Sequence, residues 1–416
     1  MTPRRSIRLR VGAGLLTRDV VSRIQTYNAD REPERRALKW RAMSASPFAF
    51  FRGTANVFWD DLATQQSALP ASPLVWACGD LHLENFGSYR GDNGLAYFDL
   101  NDFDEAARAP LLWELARFVA SVFVAAPALT ITRQDATEVA TTFLATYRVA
   151  LLDGKARWIE RATAQGMVRD LLRSVKGRTR AALLDKRTVL VAGERRLRID
   201  NQRALPVTAA QRALVTQWCN RFAQSELDPK FFRVLDVARR VAGTGSLGVE
   251  RFVILVRGEG PSDGNVLLDA KQARPSTLAA ALRMSQPTWR SEAERVVTIQ
   301  HRVQAISPAL LRAPRFDKSS VILRELQPVE DRLMLATVPG RQRHLLSVAR
   351  TMGHLVAWAH LRASGRDGTA TADALHAFAR TKGWRDAVLE YGRWYYRQVE
   401  ADARRFAVAY EDGMLS

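Results

Sequence analysis

Acidic and amide side chains are concentrated in one part of the chain, in two groups that each follow a short apolar run. Asp80 and Asn85 lie five positions apart in the stretch Cys-Gly-Asp-Leu-His-Leu-Glu-Asn-Phe-Gly, which follows the apolar residues 74–77. After a short glycine-containing hairpin, a second apolar run delivers Asp99 and Asp102. Phosphoryl transfer uses this set of groups, since one carboxylate orients or deprotonates the attacking hydroxyl while an amide oxygen and a further carboxylate hold Mg²⁺.

The spacing predicts a role for each of these side chains. Asp80 would position the hydroxyl of an acceptor, and Asn85 would bind Mg²⁺ together with Asp99 or Asp102. The alternative is that they only form turns, as Asp and Asn often do between strands. The coincidence of the spacing, the strand-borne acids and the high acid density of this part of a basic chain favours chemistry. His82 would shape the loop, contact substrate or cap a turn.

A glycine-rich segment later in the chain has the pattern G-x-G-x-x-G. The β-rich run 249–256 follows it and predicts a strand, whereas a dinucleotide-binding fold would continue into a helix. No Gly-Lys-Ser/Thr follows, which excludes a Walker-type loop. A glycine-rich turn between antiparallel strands is the protein-kinase arrangement, in which the loop covers the ATP phosphates; an ordinary hairpin is the alternative. The nucleotide-binding candidates here are Gly243, Thr244, Gly245, Ser246 and Gly248.

Lys271 ends an apolar strand, one strand after the glycine-rich segment. A kinase holds in this place the lysine that contacts the α- and β-phosphates and that pairs with a glutamate of a following helix. Glu292 and Glu294 both lie near the start of the next predicted helix, and the choice between them stays open. The alternative is a strand-end lysine that reaches out to solvent. Arg52 is a further candidate, either for a phosphate contact or for packing and an ion pair.

Composition limits the classes of function. The 416 residues carry a formal net charge of +19, but the cations are spread along the whole chain among acidic and apolar residues. Nucleic acid is therefore the less favoured partner, and an anionic ligand also suits the charge. The longest uncharged run, 118–132, is too short to cross a bilayer, so no membrane partner is expected. Two cysteines and the lack of a secretory signal predict a cytoplasmic protein.

The apolar spacing predicts an α+β chain with separate helical and strand-rich parts. Residues 46–54 predict a compact aromatic turn, residues 111–227 mainly helix, and residues 231–270 an antiparallel meander with glycine-bearing turns. The expected division is 1–70 as an N-terminal helical and aromatic segment, 71–230 as a catalytic-loop and helical lobe, 231–330 as a nucleotide-binding β-lobe with one helix, and 331–416 as a helical segment on the catalytic lobe.

The segment Gly-Asp-Leu-His-Leu-Glu-Asn at residues 79–85 resembles the catalytic loop of aminoglycoside phosphotransferases and related small-molecule kinases. Residues 98–105 and the Trp-Glu-Leu-Ala at 113–116 resemble their metal-binding strand end and the following helix. Counted from the asparagine of that loop, the metal ligand falls near Asp99. Counted back from the glutamate of the helix, it falls at Asp102, and Asp104 is a third and weaker choice.

Over most of its length the chain is identified as a member of the bacterial domain of unknown function 2252 family. The residues behind this resemblance are 46–53, 78–87, 99–105 and the Arg-Glu-Leu-Gln-Pro at 324–328. The resemblance implies a kinase-like fold and leaves the substrate open, because a fold does not determine a function.

The order of the motifs differs from that of kinases, which run from the glycine loop and lysine through a hinge and a long helix to the catalytic loop. Here the catalytic loop comes first and the glycine-rich β-lobe later, which is the same cycle cut just before the catalytic loop. We therefore expect a protein-kinase-like two-lobed fold in circularly permuted order, with residues 319–328 as the hinge strand. Permutation requires joined ends that are close in space, so the helix ending near Leu361 must lie beside residues near 76.

The function expected from these features is a Mg-ATP-dependent phosphotransferase that acts on an unidentified small molecule or protein. An AMP transferase is the alternative among enzymes, since the same groups with ATP reversed would move the α-phosphate. A pseudoenzyme or basic scaffold that binds nucleotide or nucleic acid without turnover is the alternative from another class.

Overall fold

The chain folds as a mixture of helices and strands, which confirms the α+β prediction. A computed structural model describes residues 14–241, 248–260, 262–316, 319–335 and 342–415. The helices are α1 Val20–Tyr27, α2 Pro33–Ser44, α3 Pro47–Gly53, α4 Ala55–Thr64, α5 Leu111–Ala125, α6 Arg133–Asp153, α7 Gly166–Ser174, α8 Arg180–Arg187, α9 Ala209–Ala223, α10 Thr277–Leu282, α11 Glu292–Val303, α12 Gln342–Arg362, α13 Ala372–Arg380 and α14 Trp384–Glu411.

The strands form one large antiparallel sheet and three small ones. They are β1 Leu74–Ala77, β2 Phe86–Arg90, β3 Ala96–Leu100, β4 Ala107–Pro110, β5 Thr188–Val191, β6 Glu194–Leu197, β7 Ala204–Leu205, β8 Val234–Arg240, β9 Arg251–Val256, β10 Val266–Gln272, β11 Arg315–Phe316, β12 Ser319–Glu325 and β13 Asp331–Arg332. The large sheet has the order β11-β12-β10-β9-β8-β7, and the small ones are β13-β2-β3, β1-β4 and β5-β6.

The largest apolar core joins helices from both ends of the chain. Helix α5 is buried along its whole length and packs against α14, while α6 packs against α12. Phe118 of α5 and Phe143 of α6 stack with ring centroids 3.8 Å apart. Burial of this many large apolar side chains is the main stabilising contribution to such a core. The C-terminal helices are thus an integral part of the layer that supports the first strands.

The six-stranded sheet has two faces of different character. One face packs apolar side chains of β8, β9, β10 and β12 against α9, through residues such as Trp218 and Phe222. The other face is apolar where α8 and β6 cover it with Leu184 and Leu197. Beyond that cover the same face is charged, because residues two apart on a strand project to the same side and β10 continues from Leu267 through Asp269 to Lys271.

One local prediction was wrong, and another was right but missed a hairpin. The aromatic segment 46–54 is the helix α3, whose N-cap Ser46 accepts a hydrogen bond from Ala49 N at 3.1 Å and is followed by a proline at the first helical position. Both features are helix-start signals. The part expected to be mainly helical contains the hairpin β5–β6, whose turn residues Ala192 and Gly193 have φ of 50° and 81°, as a two-residue hairpin turn requires.

The chain returns to β1 after the end of α12. Ala370 N donates a hydrogen bond to Leu74 O at 2.8 Å, eight residues beyond the last residue of that helix, Arg362. The segment that follows α12 therefore lies beside β1, and α12 itself also contacts this strand. No helix within the described ranges is long and apolar enough to cross a membrane.

Gly353 marks the closest approach of α12 to α6, and its replacement by alanine tests this packing. A Cβ there would lie 2.7 Å from Phe143 O and 3.2 Å from Tyr147 N. A Gly→Ala change inside a helix ordinarily adds about 1 kcal/mol of stability. We expect Gly353→Ala instead to lower the free energy of unfolding by about 1–3 kcal/mol, because the two helices must separate. Urea unfolding measures it, with the exposed Arg350→Ala of the same helix as control; a stabilised Gly353→Ala would contradict the close packing.

Candidate active site

Helix α5 holds the Asp80 loop, residues 78–87, with three polar side chains that lie on one helical face: two bind the loop backbone and one binds a carboxylate. Glu114 Oε1 accepts hydrogen bonds from Cys78 N at 2.7 Å and from Gly79 N at 3.3 Å. Ser121 Oγ, seven residues further along, accepts one from Leu83 N at 3.2 Å. Since residues three, four and seven apart share a helical face, one side of α5 serves as a template for the loop.

Arg117, the third of these side chains, holds the predicted catalytic carboxylate. Its Nε donates to Asp80 Oδ1 at 2.6 Å, and its Nη2 donates to Phe51 O at 3.0 Å. The Arg117 side chain is fully buried, with its guanidinium 4.0 Å above the Phe51 ring. Burial raises the pKa of Asp80, although the charge of Arg117 opposes this rise. A carboxylate fixed in this way retains one oxygen for a reacting group.

The second oxygen of Glu114 continues a buried chain of hydrogen bonds into the helical core. His360 Nε2 lies 2.7 Å from Glu114 Oε2, and His360 Nδ1 lies 2.8 Å from the hydroxyl of Tyr147. Burial would raise the pKa of Glu114, but these hydrogen bonds and those from the Asp80 loop lower it below its usual value. Helices α6 and α12 thereby help to keep Glu114 ionised and in place.

Asn85 and Asp102 are joined by direct hydrogen bonds. Asp102 N donates to Asn85 Oδ1 at 2.8 Å, and Asn85 Nδ2 donates to the carbonyl oxygens of Asp80 at 3.0 Å and Asp102 at 3.2 Å. The Asp102 side chain is 56% exposed. Burial of its surroundings would raise the pKa of Asp102, but the ammonium of Lys271 lowers it below its usual value. An ionised carboxylate is thus available next to Asn85.

Asp99, the other candidate metal ligand, lies away from this group. It is 2% exposed on β3 and its Oδ1 accepts a hydrogen bond from Leu100 N at 2.9 Å. Burial raises the pKa of Asp99 to about 6, with Arg362 opposing. The structure therefore brings Asp102 to Asn85 and leaves Asp99 inside the protein.

Lys271 meets the acids of the N-terminal part across a cleft. Its ammonium forms an ion pair with Asp104, and Lys271 Nζ lies 4.0 Å from Asp102 Oδ1. The carboxylate of Glu294, in the first turn of α11, accepts a hydrogen bond from Arg290, which lies just before the helix. The structure thus brings Asp104, rather than the predicted Glu294, to the lysine. The reason is that the acid-rich segment after β3 reaches the end of β10.

The other helix glutamate is also engaged elsewhere. Glu292 Oε2 accepts a hydrogen bond from Arg295 Nε at 2.6 Å. Arg295 in turn donates to the carbonyl oxygens of Asp104 and Arg274, each at 2.9 Å. Helix α11 therefore holds the acid-rich segment through its arginine and not through a glutamate.

These groups line two adjacent spaces. The main cleft has a volume of about 590 Å³ and is lined by Asn85 and Asp102 on one side and by Lys271 on the other. The inner cavity, of about 60 Å³, contains Asp80 and Lys39. The two spaces have three lining residues in common, namely Arg52, Asp102 and Asp104.

His82 and Arg52 both line the main cleft. His82 is 6% exposed, and its Nδ1 accepts a hydrogen bond from Glu84 N at 3.1 Å. Arg52 forms an ion pair with Glu84. Burial lowers the pKa of His82 well below its usual value, and the charges of Arg52, Arg117 and Arg332 lower it further. The imidazole is therefore neutral and serves as a hydrogen-bond acceptor.

Most of the glycine-rich segment lies outside the described residues, namely Gly243, Thr244, Gly245 and Ser246. Gly248 is described and has φ of +92°, a conformation that favours glycine. A Cβ at this position would lie 2.6 Å from Arg31 Cδ. The end of the segment thus packs on the N-terminal part of the chain.

Several site residues were not found from the sequence. Arg117 was detectable, since it is three residues from Glu114 in a helix whose other residues, apart from Ser121, are apolar. Lys39 gave no comparable signal: it is 1% exposed, donates to Asn28 Oδ1 at 3.0 Å, and burial lowers its pKa well below its usual value. The residues missed were Arg117, Ser121, Lys39, Arg240, Arg251 and Arg324, together with the pairing of Asp104 to Lys271.

Asn85 and Asp102 fit the requirements of Mg²⁺. Asn85 Oδ1 accepts one hydrogen bond and, as a carbonyl oxygen, has a second lone pair. Asp102 supplies an exposed carboxylate beside it. Within the described ranges, no group of three or more His, Cys, Asp or Glu side chains is placed to hold a metal ion. Mg²⁺ commonly needs only one or two protein carboxylates, because phosphates and water complete its shell.

Comparison with known proteins identifies one family. A family model described as an uncharacterized protein conserved in bacteria, DUF2252, matches residues 31–409. No curated protein matches the chain, and no solved structure matches it. The match confirms the family resemblance seen in the sequence.

The low pKa of His82 predicts a loss of stability in mild acid. Below about pH 6.5 this imidazole is protonated in the unfolded chain but not in the folded protein. Protonation therefore lowers the free energy of the unfolded state and reduces the free energy of unfolding. Between about pH 7.5 and about pH 5.5 this contributes a loss of about 1.4 kcal/mol. We expect His82→Asn, whose Oδ1 can accept from Glu84 N, to lack that loss. Urea unfolding of both proteins at both pH values measures it; a wild-type-minus-variant difference that is independent of pH would contradict a neutral His82.

Proposed function

The chain belongs to the uncharacterised bacterial DUF2252 family, and we propose that it is a Mg-ATP-dependent phosphotransferase with a kinase-like fold. One observation carries the proposal. Lys271 Nζ, from β10 of the six-stranded sheet, lies 4.0 Å from Asp102 Oδ1, and Asp102 is hydrogen-bonded to Asn85 of the Asp80 loop. Phosphoryl transfer needs a lysine, a metal-binding pair and a carboxylate around one phosphate chain. The acceptor is an unidentified small molecule or protein, and the expected location is the cytoplasm.

The donor phosphates lie, in this proposal, in the main cleft. Lys271 would contact them, and its present partner Asp104 holds the ammonium in place. Asn85 and Asp102 would hold Mg²⁺, which when bound neutralises charge on the transferred phosphoryl group. In the kinase arrangement that the sequence predicts, a glycine-rich loop covers the phosphates.

The acceptor reacts, in this proposal, at the inner cavity. Its hydroxyl hydrogen bonds to the Asp80 oxygen that Arg117 leaves open. The hydroxyl oxygen attacks the γ-phosphorus, the bond to the β–γ bridging oxygen breaks, and the proton passes to Asp80. Burial raises the proton affinity of Asp80, which suits a general base. The products are a phosphate ester and ADP.

Two contacts support the circularly permuted order. Ala370 N donates to Leu74 O at 2.8 Å, so the chain after α12 runs directly beside the strand that leads into the Asp80 loop. His360, near the end of α12, bonds to Glu114, which in turn binds the loop backbone. A chain in ordinary kinase order would connect the long helix to the catalytic loop at this place.

Two substitutions separate the chemistry from donor binding. We expect Asp80→Asn to lower the rate of phosphoryl transfer by about 10²–10⁴-fold, the usual contribution of a general base. It should leave the Kd for Mg-ATP within about threefold, because Asp80 lies in the inner cavity. Lys271→Ala should instead abolish Mg-ATP binding. Transfer is measured as label from [γ-³²P]ATP to water and to a bacterial extract, and binding as the Mg²⁺-dependent rise in melting temperature.

The exposed Asp170→Asn on α7, whose side chain is 68% exposed, is the matched control for a lost carboxylate. If the acceptor received label from [α-³²P]ATP and not from [γ-³²P]ATP, the reaction would be AMP transfer and not phosphoryl transfer. Mg-ATP binding that is unchanged in Lys271→Ala would remove the proposed donor site.

A further inference from the structure

Three arginines surround one buried aspartate on the cleft side of the large sheet. Arg251 Nε donates to Asp269 Oδ1 at 2.7 Å, Arg240 Nη1 lies 2.7 Å from Asp269 Oδ2, and Arg324 Nε lies 3.4 Å from the same oxygen. Asp269 is 1% exposed. We name Arg240, Arg251 and Arg324 the arginine cluster. They come from three different strands, so only the sheet pairing brings them together.

The arginine cluster has more positive charge than its aspartate neutralises. Three guanidinium groups lie around one carboxylate. Glu330 is a further acid beside the cluster, 3.5 Å from Arg324. The three cations lower the pKa of Asp269 well below its usual value, so its single charge is fixed, although burial opposes this shift. Lys271 follows two residues later on the same face. Such an excess of fixed cations in a cleft attracts anions.

The positive charge continues along the whole main cleft. Arg178, Lys186, Arg187 and Arg203 line it as well, and its described lining has ten cationic and six acidic side chains. Among the described residues that line the cleft, only three are apolar, namely Phe103, Val296 and Ile322. Sites for uncharged organic groups are usually lined mostly by apolar side chains. This cleft has the opposite composition.

Beside Lys271 the sequence of this strand differs from that of a protein kinase. The kinase strand has the sequence Val-Ala-Ile-Lys, with alanine two residues before the lysine, whereas this strand has Leu-Asp-Ala-Lys, with Asp269 in that place. A neutral purine against Asp269 and its arginines would displace water from charged groups without replacing their hydrogen bonds. Phosphate oxygens would replace them, since guanidinium groups bind phosphate through two parallel hydrogen bonds.

We infer that the cleft recognises its donor by the phosphoanhydride chain and not by the nucleobase. The ligand class is therefore a polyphosphate, either attached to a nucleoside, as in ATP, or inorganic. This inference rests on the proposed function, because it concerns the same donor site. Lys271 and the arginine cluster hold successive phosphates, and the base contributes little to affinity.

Binding of three probes to the full chain tests the inference. We expect the Kd of magnesium tripolyphosphate to be within about fivefold of that of Mg-ATP, and Mg-GTP to equal Mg-ATP, by calorimetric titration. Adenosine at millimolar concentration should not compete. Arg324→Gln should raise the Kd for tripolyphosphate by about tenfold or more, as expected for the loss of a charge-assisted contact. Arg324 is the most exposed member of the cluster, at 20%, so two arginines remain on Asp269.

Arg212→Gln is the matched control, since Arg212 pairs with Asp236 on the same sheet but does not line the cleft. Its affinity for tripolyphosphate should equal that of the wild type. ATP that binds more than about thirtyfold tighter than tripolyphosphate, or competition by adenosine, would overturn the inference and leave the proposed function intact. If neither ATP nor tripolyphosphate binds in the presence of Mg²⁺, both the donor site and the inference fall. The comparison of ATP, tripolyphosphate and adenosine on the wild-type protein tests the inference even if a variant fails to fold.

Discussion

A stripe of three polar side chains on the buried helix α5 is the constraint on which the rest of the site depends. Glu114, Arg117 and Ser121 lie in a core where an unpaired charge or hydroxyl would cost several kcal/mol. This is on the order of the net stability of a whole domain. Each is paired with the Asp80 loop. The loop backbone and the carboxylate of Asp80 are consequently fixed by the same requirement that keeps the core stable.

The acid-rich segment after β3 has a corresponding role between the two parts of the chain. Lys271 and Arg295 bind Asp104 through its carboxylate and its carbonyl oxygen. Glu105 accepts hydrogen bonds from Thr277 N at 2.6 Å and from its hydroxyl at 2.7 Å. Gly79 has φ of +88°, and a Cβ there would lie 1.9 Å from Glu105 O. One short segment thus contacts the Asp80 loop on one side and the sheet and its helices on the other.

The fold shows where the positive charge of the protein is concentrated, which composition alone did not. The excess of arginine is spread along the sequence, which argued against a nucleic-acid surface. In the fold, arginines from strands far apart in sequence converge on Asp269, and others from α8 and the following strands line the same cleft. A diffuse charge in the chain is therefore a concentrated one in space.

The sequence by itself determined the α+β class, the antiparallel meander, the family and the grouping of Asp80 and Asn85 with a following acidic segment that offers Asp99 or Asp102. These follow from local spacing, because strand alternation, helix periodicity and turn-forming residues act over a few positions. Tertiary structure alone decided which carboxylate Lys271 meets, that Asp99 is buried inside, and that Arg117 and the arginine cluster reach the site. Such pairings join residues tens to hundreds of positions apart, and their energies depend on burial and distance, which no local pattern records.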